Sequence, residues 1–188
     1  MTTKQKYSLD GLYKVLGPHQ ESCHGGTGKW VKGRWRSVKG DLIPCENGIH
    51  LCRATDILEW TNAQLWVAEV RGDERVVAEN KVVVRSARIV QRVTTWNDQV
   101  LRLCAADFAE RALTKAKVTD KRSWAALTAV RQFAFGRIDA AARDAARDAA
   151  RDAAWAAARD AERQWQMKRL FQYLNGEVDL KAIERSLP

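Results

Sequence analysis

Along the first half of the chain, apolar positions recur at every second residue in short runs bounded by glycine, proline, asparagine or aspartate. Runs of this kind cover Gly11–Leu16, Asp41–Ile43, Gly48–Leu51, Leu65–Val70, Arg75–Val77 and Lys81–Val90. Side chains alternate between the two faces of a strand, so this period predicts half-buried strands. One short helix is predicted among them, Thr55–Trp60, with the Thr55 hydroxyl placed to cap its N-terminus.

Near Thr94 the period changes. Between Trp96 and Ala116, residues Val100, Leu103, Cys104, Phe108, Ala112 and Leu113 fall at helical spacing. They predict one buried helix face, with Cys104 as a core thiol. A second helix is expected to run from Arg122 to Leu174 with a bend at Gly136, its only internal breaker. Met167, Leu170, Phe171 and Leu174 repeat at i, i+3, i+4 and i+7, and Asn175-Gly176 supplies a stop.

Inside this second helix, Ala-Ala-Arg-Asp repeats from Ala141 to Asp152 and returns at Ala157–Asp160. Alanine and arginine are strong helix formers, and Asp144 to Arg147 and Asp148 to Arg151 are spaced as i,i+3 ion pairs. The alanine stripe winds along the i±4 ridge, which suits a close helix crossing and leads us to expect a homo-oligomer through the long helix. The predicted fold class is α+β. A compact mixed β/α domain spans residues 1–94, and an all-helical, alanine-rich region spans 95–188.

Composition narrows the class of protein. A chain of 188 residues, 46% hydrophobic, suffices for one real core plus a helical appendage. Four cysteines are too few for a disulfide scaffold. No apolar run is long enough to span a bilayer, and Met1-Thr2-Thr3-Lys4-Gln5-Lys6 lacks the hydrophobic stretch of a signal peptide. The expectation is a cytoplasmic protein with reduced thiols and no membrane partner.

The net charge of +9 is spread over the chain, with one local concentration. Between Glu21 and Asp41 there is no acid, while Lys29, Lys32, Arg34, Arg36 and Lys39 alternate with Trp30, Trp35 and glycines. Cations neutralise phosphate, indoles stack on bases and glycine admits close backbone approach, so this stretch suits a nucleotide, a polyanion or single-stranded nucleic acid. It equally suits a hairpin whose tryptophans pack inward.

The candidate chemistry gathers in two motifs, Ser22-Cys23-His24-Gly25-Gly26-Thr27-Gly28 and Cys45-Glu46-Asn47-Gly48-Ile49-His50-Leu51-Cys52. They hold two of the three histidines and three of the four cysteines. Cys23, Cys45, His50 and Cys52 form a ligand set that zinc accepts. Neither motif, however, has the short knuckle spacing that presents two ligands to one metal, so the expectation is a metal-free protein. A second reading makes Cys23 or Cys52 a nucleophile activated by a nearby imidazole. A third buries the cysteines as small hydrophobes at strand ends, with the histidines as turn residues.

A resemblance offers a fourth. His24-Gly25-Gly26, Gly48-Ile49-His50-Leu51-Cys52, Asp56-Ile57-Leu58-Glu59-Trp60, Leu65–Gly72 and Lys81-Val82-Val83-Val84 stand in an order similar to that of the ADP-ribosyltransferase superfamily. The tRNA 2′-phosphotransferase branch is similar in using histidine at the second place. The chain also resembles small actinobacterial-phage proteins with Cys-His-Gly-Gly and Asn-Gly-x-His-x-Cys elements and an alanine-rich tail, which would place it in the host cytoplasm.

The resemblance implies an ADP-ribosyltransferase-like fold, NAD as cofactor, and ADP-ribosyl or phosphoryl transfer. His24 would bond a ribose hydroxyl and His50 would line the nicotinamide side. Gly25, Gly26, Thr27 and Gly48 would let backbone approach the cofactor. Arg53, or a cation of the 29–39 stretch, would meet the pyrophosphate. Lys81 stands where catalytic members commonly carry glutamate, and Glu79, two residues earlier, is the candidate for that catalytic carboxylate. The competing class is a non-enzymatic module in which the basic stretch and the helical tail dock on nucleic acid or a host protein.

Overall fold

A computed structural model describes residues 6–144 and 161–188. The chain falls into two compact units, Met1–Trp96 and Asn97–Pro188. The first holds a seven-stranded antiparallel sheet and the second is helical, so the protein is α+β.

The strands are β1 (Leu12–Leu16), β2 (Arg36–Ser37), β3 (Ile49–Arg53), β4 (Gln64–Val70), β5 (Arg75–Ala78), β6 (Lys81–Val84) and β7 (Ser86–Arg92). Their order across the sheet is β2-β7-β4-β1-β3-β6-β5. Two expected elements differ. Asp41–Ile43 is not a strand but leads into a tight turn closed by an isolated Ile43–Asn47 bridge. Arg36–Ser37, too short to show a period, pairs with Ala87 and Ser86.

The apolar run Lys81–Val90 is two strands, not one. Only Arg85 separates β6 from β7, yet they stand four places apart in the sheet order. A flat sheet would put them about 19 Å apart at ~4.8 Å per strand, whereas one intervening residue spans at most about 7 Å. The sheet therefore curls until the end of β6 meets the start of β7, with Arg85 at the corner. There its guanidinium pairs with Glu74 and donates to the Val38 carbonyl (3.2 Å). The curl closes around Leu16, Trp30, Leu51, Val84, Ala87 and Ile89, all buried.

The predicted helix after β3 is a 3-10 helix, Ala54–Glu59, with Arg53 rather than Thr55 at its N-cap and no side-chain cap. Thr55 lies inside it and donates to Asp56 (3.2 Å).

In the second unit α1 spans Asp98–Lys115, capped by Asn97, whose side chain accepts from the Val100 amide. Its buried face includes Val100, Leu103, Cys104 and Leu113 as expected, together with Ala106 and Asp107, while Phe108 and Ala112 are only half-buried. The second helix is broken, not bent. Helix α2 (Lys121–Ala134) ends where Gly136, at φ +69°, donates to the Phe133 carbonyl and Arg137 donates to that of Gln132. This left-handed cap satisfies the last carbonyls and turns the chain. A new helical stretch begins at residue 140 behind Asp139, whose side chain caps the Ala142 amide.

Helix α3 (Ala161–Leu174) buries Met167, Leu170, Phe171 and Leu174, and stops at Gly176, φ +67°. The short α4 (Leu180–Arg185) follows. The body of the Ala-Ala-Arg-Asp repeat, and with it the expected alanine stripe and oligomer contact, lies outside the described residues. No helix among the described residues is long and apolar enough to cross a membrane.

Candidate functional site

The central strands β1 and β3 pair only at Leu12–Arg53 and Tyr13–Cys52. Beyond these pairs they part, because β3 continues into its ladder with β6 while β1 stays with β4 along its whole length. Parting strands leave backbone groups that need partners. Lys14 Nζ donates to the His50 carbonyl (2.9 Å) and Cys23 Sγ donates to the Val15 carbonyl (3.4 Å). The gap opens into a cavity of about 440 Å³ lined by both histidine motifs.

The first motif is the tip of a narrow loop. Trp30 N–H donates to Gln20, Ser22 N–H donates to Gly28, and a Glu21–Lys29 bridge closes its stem. At the tip His24 and Gly25 both take left-handed backbone conformations, φ +55° and +85°. His24 Nε2 donates to the Trp60 carbonyl (3.2 Å), and its ring meets the Trp60 indole edge-on at 5.3 Å.

The second motif needs its glycine. Gly48 sits at φ +142°, and a Cβ there would overlap Val83 Cγ1, so no larger residue lets β3 enter its register with β6. His50 Nε2 accepts the Cys45 amide (3.0 Å), which fixes a neutral ring with its proton on Nδ1. Burial, with Lys14 and Lys81 nearby, pushes the His50 pKa below the usual histidine value. Cys45 is itself left-handed at φ +71°, and its sulfur accepts from Lys81 Nζ (3.0 Å). The Lys81 ammonium also lies 5.1 Å from the Trp60 ring centre.

His24, Gly25, Gly26, Thr27, Gly48 and His50 all line the cavity, as do Trp30, Arg36, Cys23, Cys45 and Cys52. Four groups of expected site residues do not. Glu79, the expected catalytic carboxylate, is exposed in the β5–β6 turn and does not line the cavity. Arg53 is turned away too, bonded to Asp56 Oδ2 (2.5 Å) and to the carbonyls of Ala78 and Glu79. Lys29, Lys32 and Arg34 are exposed outside it. The Trp35 ring is occupied by the guanidiniums of Arg71 (4.2 Å) and Arg88 (4.8 Å) rather than open to a base.

Trp30 packs inward, 3% exposed, and donates its indole N–H to Ser22 Oγ (3.0 Å). It forms a floor rather than an open stacking platform. Burial keeps Cys23 and Cys52 as thiols, raising the first and pushing the second up to about 12. Cys104 in α1 is likewise raised to about 12 by burial. Among the described residues no three His, Cys, Asp or Glu side chains are grouped to hold a metal ion.

Lys14, Trp60 and Lys81 also line the cavity. Only Lys14 leaves a clear signal in the sequence. It shares a face of β1 with Leu12 and Leu16, so a cation interrupts an otherwise apolar period-two stripe.

Comparison with protein-family models, with curated proteins and with solved structures finds no match to this chain.

Proposed function

We propose that the Met1–Trp96 unit binds a phosphate-bearing nucleotide, NAD or the phosphate of an RNA strand, in the cavity between β1 and β3. The observation that carries this reading is the charge of the lining: among the described residues Lys14, Arg36 and Lys81 line the cavity against a single carboxylate, Glu46. A polar cavity of this size, with few enclosed charges of one sign, selects a small anion-bearing ligand. His24 Nδ1, free of the Trp60 bond, offers an acceptor for a ribose hydroxyl. These features favour the ADP-ribosyltransferase-like reading of the unit at the level of binding.

The same reading makes transfer chemistry depend on a carboxylate other than Glu79, since charge stabilisation of an oxocarbenium-like centre acts only at close range. Among the described residues Glu46 is the one lining carboxylate. Accordingly we assign the unit to binding, with the exposed Lys29, Lys32 and Arg34 flanking any longer strand whose end enters the cavity.

Titration with NAD, an RNA oligonucleotide and single-stranded DNA at two salt concentrations tests this. Pocket binding predicts affinity for NAD or a short RNA that changes little with salt. Affinity that collapses steeply with salt for every ligand would instead assign binding to the exposed basic loop. No binding by any ligand would overturn the proposal.

A further inference from the structure

We infer that the inner part of the cavity, where Lys14 and Arg36 share the Trp30 ring, seats a dianionic phosphate, and that the nucleotide carries a terminal phosphomonoester. The inference rests on the nucleotide reading and narrows it.

Two cations crowd one indole: Arg36 Cζ lies 4.8 Å and Lys14 Nζ 5.4 Å from the Trp30 ring centre. Neither forms an ion pair among the described residues. Lys14 spends one donor on the His50 carbonyl. Arg36 lines the cavity as well; its Nη1 is enclosed by protein with no hydrogen-bond partner among the described residues, so an anion would be met by the rest of the guanidinium. A guanidinium that has already lost one donor to burial carries a desolvation cost that a charge-assisted contact from the cavity side would offset. Arg36 sits on the two-residue strand β2 at the edge of the sheet, from which a long side chain has ready access to water.

The chemistry of the partner follows from charge and shape. Two cations without a carboxylate partner among the described residues, set on one indole, match an anion of two charges. A phosphomonoester offers nearly that at neutral pH, together with three acceptor oxygens. A phosphodiester or one unit of a pyrophosphate offers one charge and two such oxygens. The planar guanidinium is suited to grip two oxygens at once, and the Lys14 ammonium acts as the second point charge. Lys81 is not part of this seat, being held at Cys45 and Trp60. The exposed Glu46 lies in the 43–47 turn.

Calorimetry on the full chain decides the matter, using the four nucleoside 5′-monophosphates, their nucleosides and their methyl phosphate esters at matched ionic strength. At least one monophosphate should bind about tenfold or more tightly than its methyl ester, with the nucleoside weaker still, as one charge-assisted contact is worth that factor. Arg36→Gln should erase the preference while keeping the nucleoside affinity, Arg36→Lys should restore part of it, and Lys14→Gln should weaken it. Should Lys14→Gln fail to fold, the ligand series and the Arg36 variants decide without it.

Equal binding of monophosphate and methyl ester, or a preference that survives Arg36→Gln, would overturn the inference and leave the nucleotide reading standing. If none of these ligands binds, the nucleotide reading falls for them, and inorganic phosphate alone decides the seat. A rise in melting temperature with phosphate in the parent protein but not in Arg36→Gln would support it, and an equal or absent rise would overturn it.

Discussion

Lys14 Nζ reaches across the parting of β1 and β3 to the carbonyl of His50 at 2.9 Å, replacing with a side chain a bond that the sheet ladder would otherwise supply. The same lysine thus satisfies the opened backbone and charges the cavity that the opening creates. Burial holds its ammonium below the usual lysine range. Fold and site are coupled through this one contact, since a β3 that followed β1 further would close the cavity.

The neutral state of His50 is built into the turn at Cys45, and this gives stability a pH dependence. Its pKa is lowered in the folded protein, so below the ordinary histidine value near 6.5 the unfolded chain binds more protons than the folded one. The contribution is fully present above that value and is lost as pH falls through it toward the folded pKa. Melting temperature should therefore drop between pH 7.5 and pH 5.5, and His50→Gln should reduce the drop. Identical pH profiles for the two proteins would show that the ring does not couple to folding.

Glu79 is predicted to be dispensable. It lies exposed in a hairpin turn, and what it contributes to Arg53 is its backbone carbonyl. Glu79→Gln should leave nucleotide affinity unchanged and shift stability by no more than about 0.5 kcal/mol. A loss of binding beyond threefold in the same calorimetric assay would put this side chain back into the site.

Asp107 is the opposite case. It is 7% exposed on α1 and accepts from Arg131 Nη2 (2.8 Å), Arg169 Nε (2.7 Å) and Tyr173 Oη (2.8 Å), tying α1 to α2 and α3. Asp107→Ala leaves the part-buried Arg169 guanidinium without a carboxylate and Arg131 with Glu110 alone, and should cost about 3 kcal/mol or more. Asp107→Asn keeps an acceptor and should cost less. Urea unfolding followed by helical circular dichroism measures both, and a loss below 1 kcal/mol for the alanine variant would mean that apolar packing alone holds these helices.

The cysteines should separate kinetically. Cys45 is exposed, Cys23 half-buried, and Cys52 and Cys104 buried with thiols raised to about 12. A thiol reagent at neutral pH should label Cys45 first and reach Cys52 and Cys104 only on unfolding, because the thiolate is the reactive form. Protection of Cys45 that a chelator removes would instead reveal a bound metal.

Much of this protein is legible from local pattern. Period-two alternation marks β1, β3, β4 and β5, helical spacing marks the buried faces of α1 and α3, and Asn175-Gly176 marks where α3 ends. These features depend only on which side of an element faces the core and on the backbone freedom of a few residues, both properties of neighbours in sequence. Period alone could not divide Lys81–Val90 at Arg85, since the corner exists only because β6 and β7 find partners on different parts of the curled sheet. Nor could it separate His24 and His50, which the fold brings to one cavity, from Arg53 and Glu79, which it turns aside. Trp30 and Trp35 look alike in a basic stretch, and only packing makes one a buried floor and the other a perch for Arg71 and Arg88. Residue identity set what chemistry was on offer. Which groups share a cavity was decided by non-local strand pairing, because a ladder that ends early opens a gap whose position no local periodicity encodes.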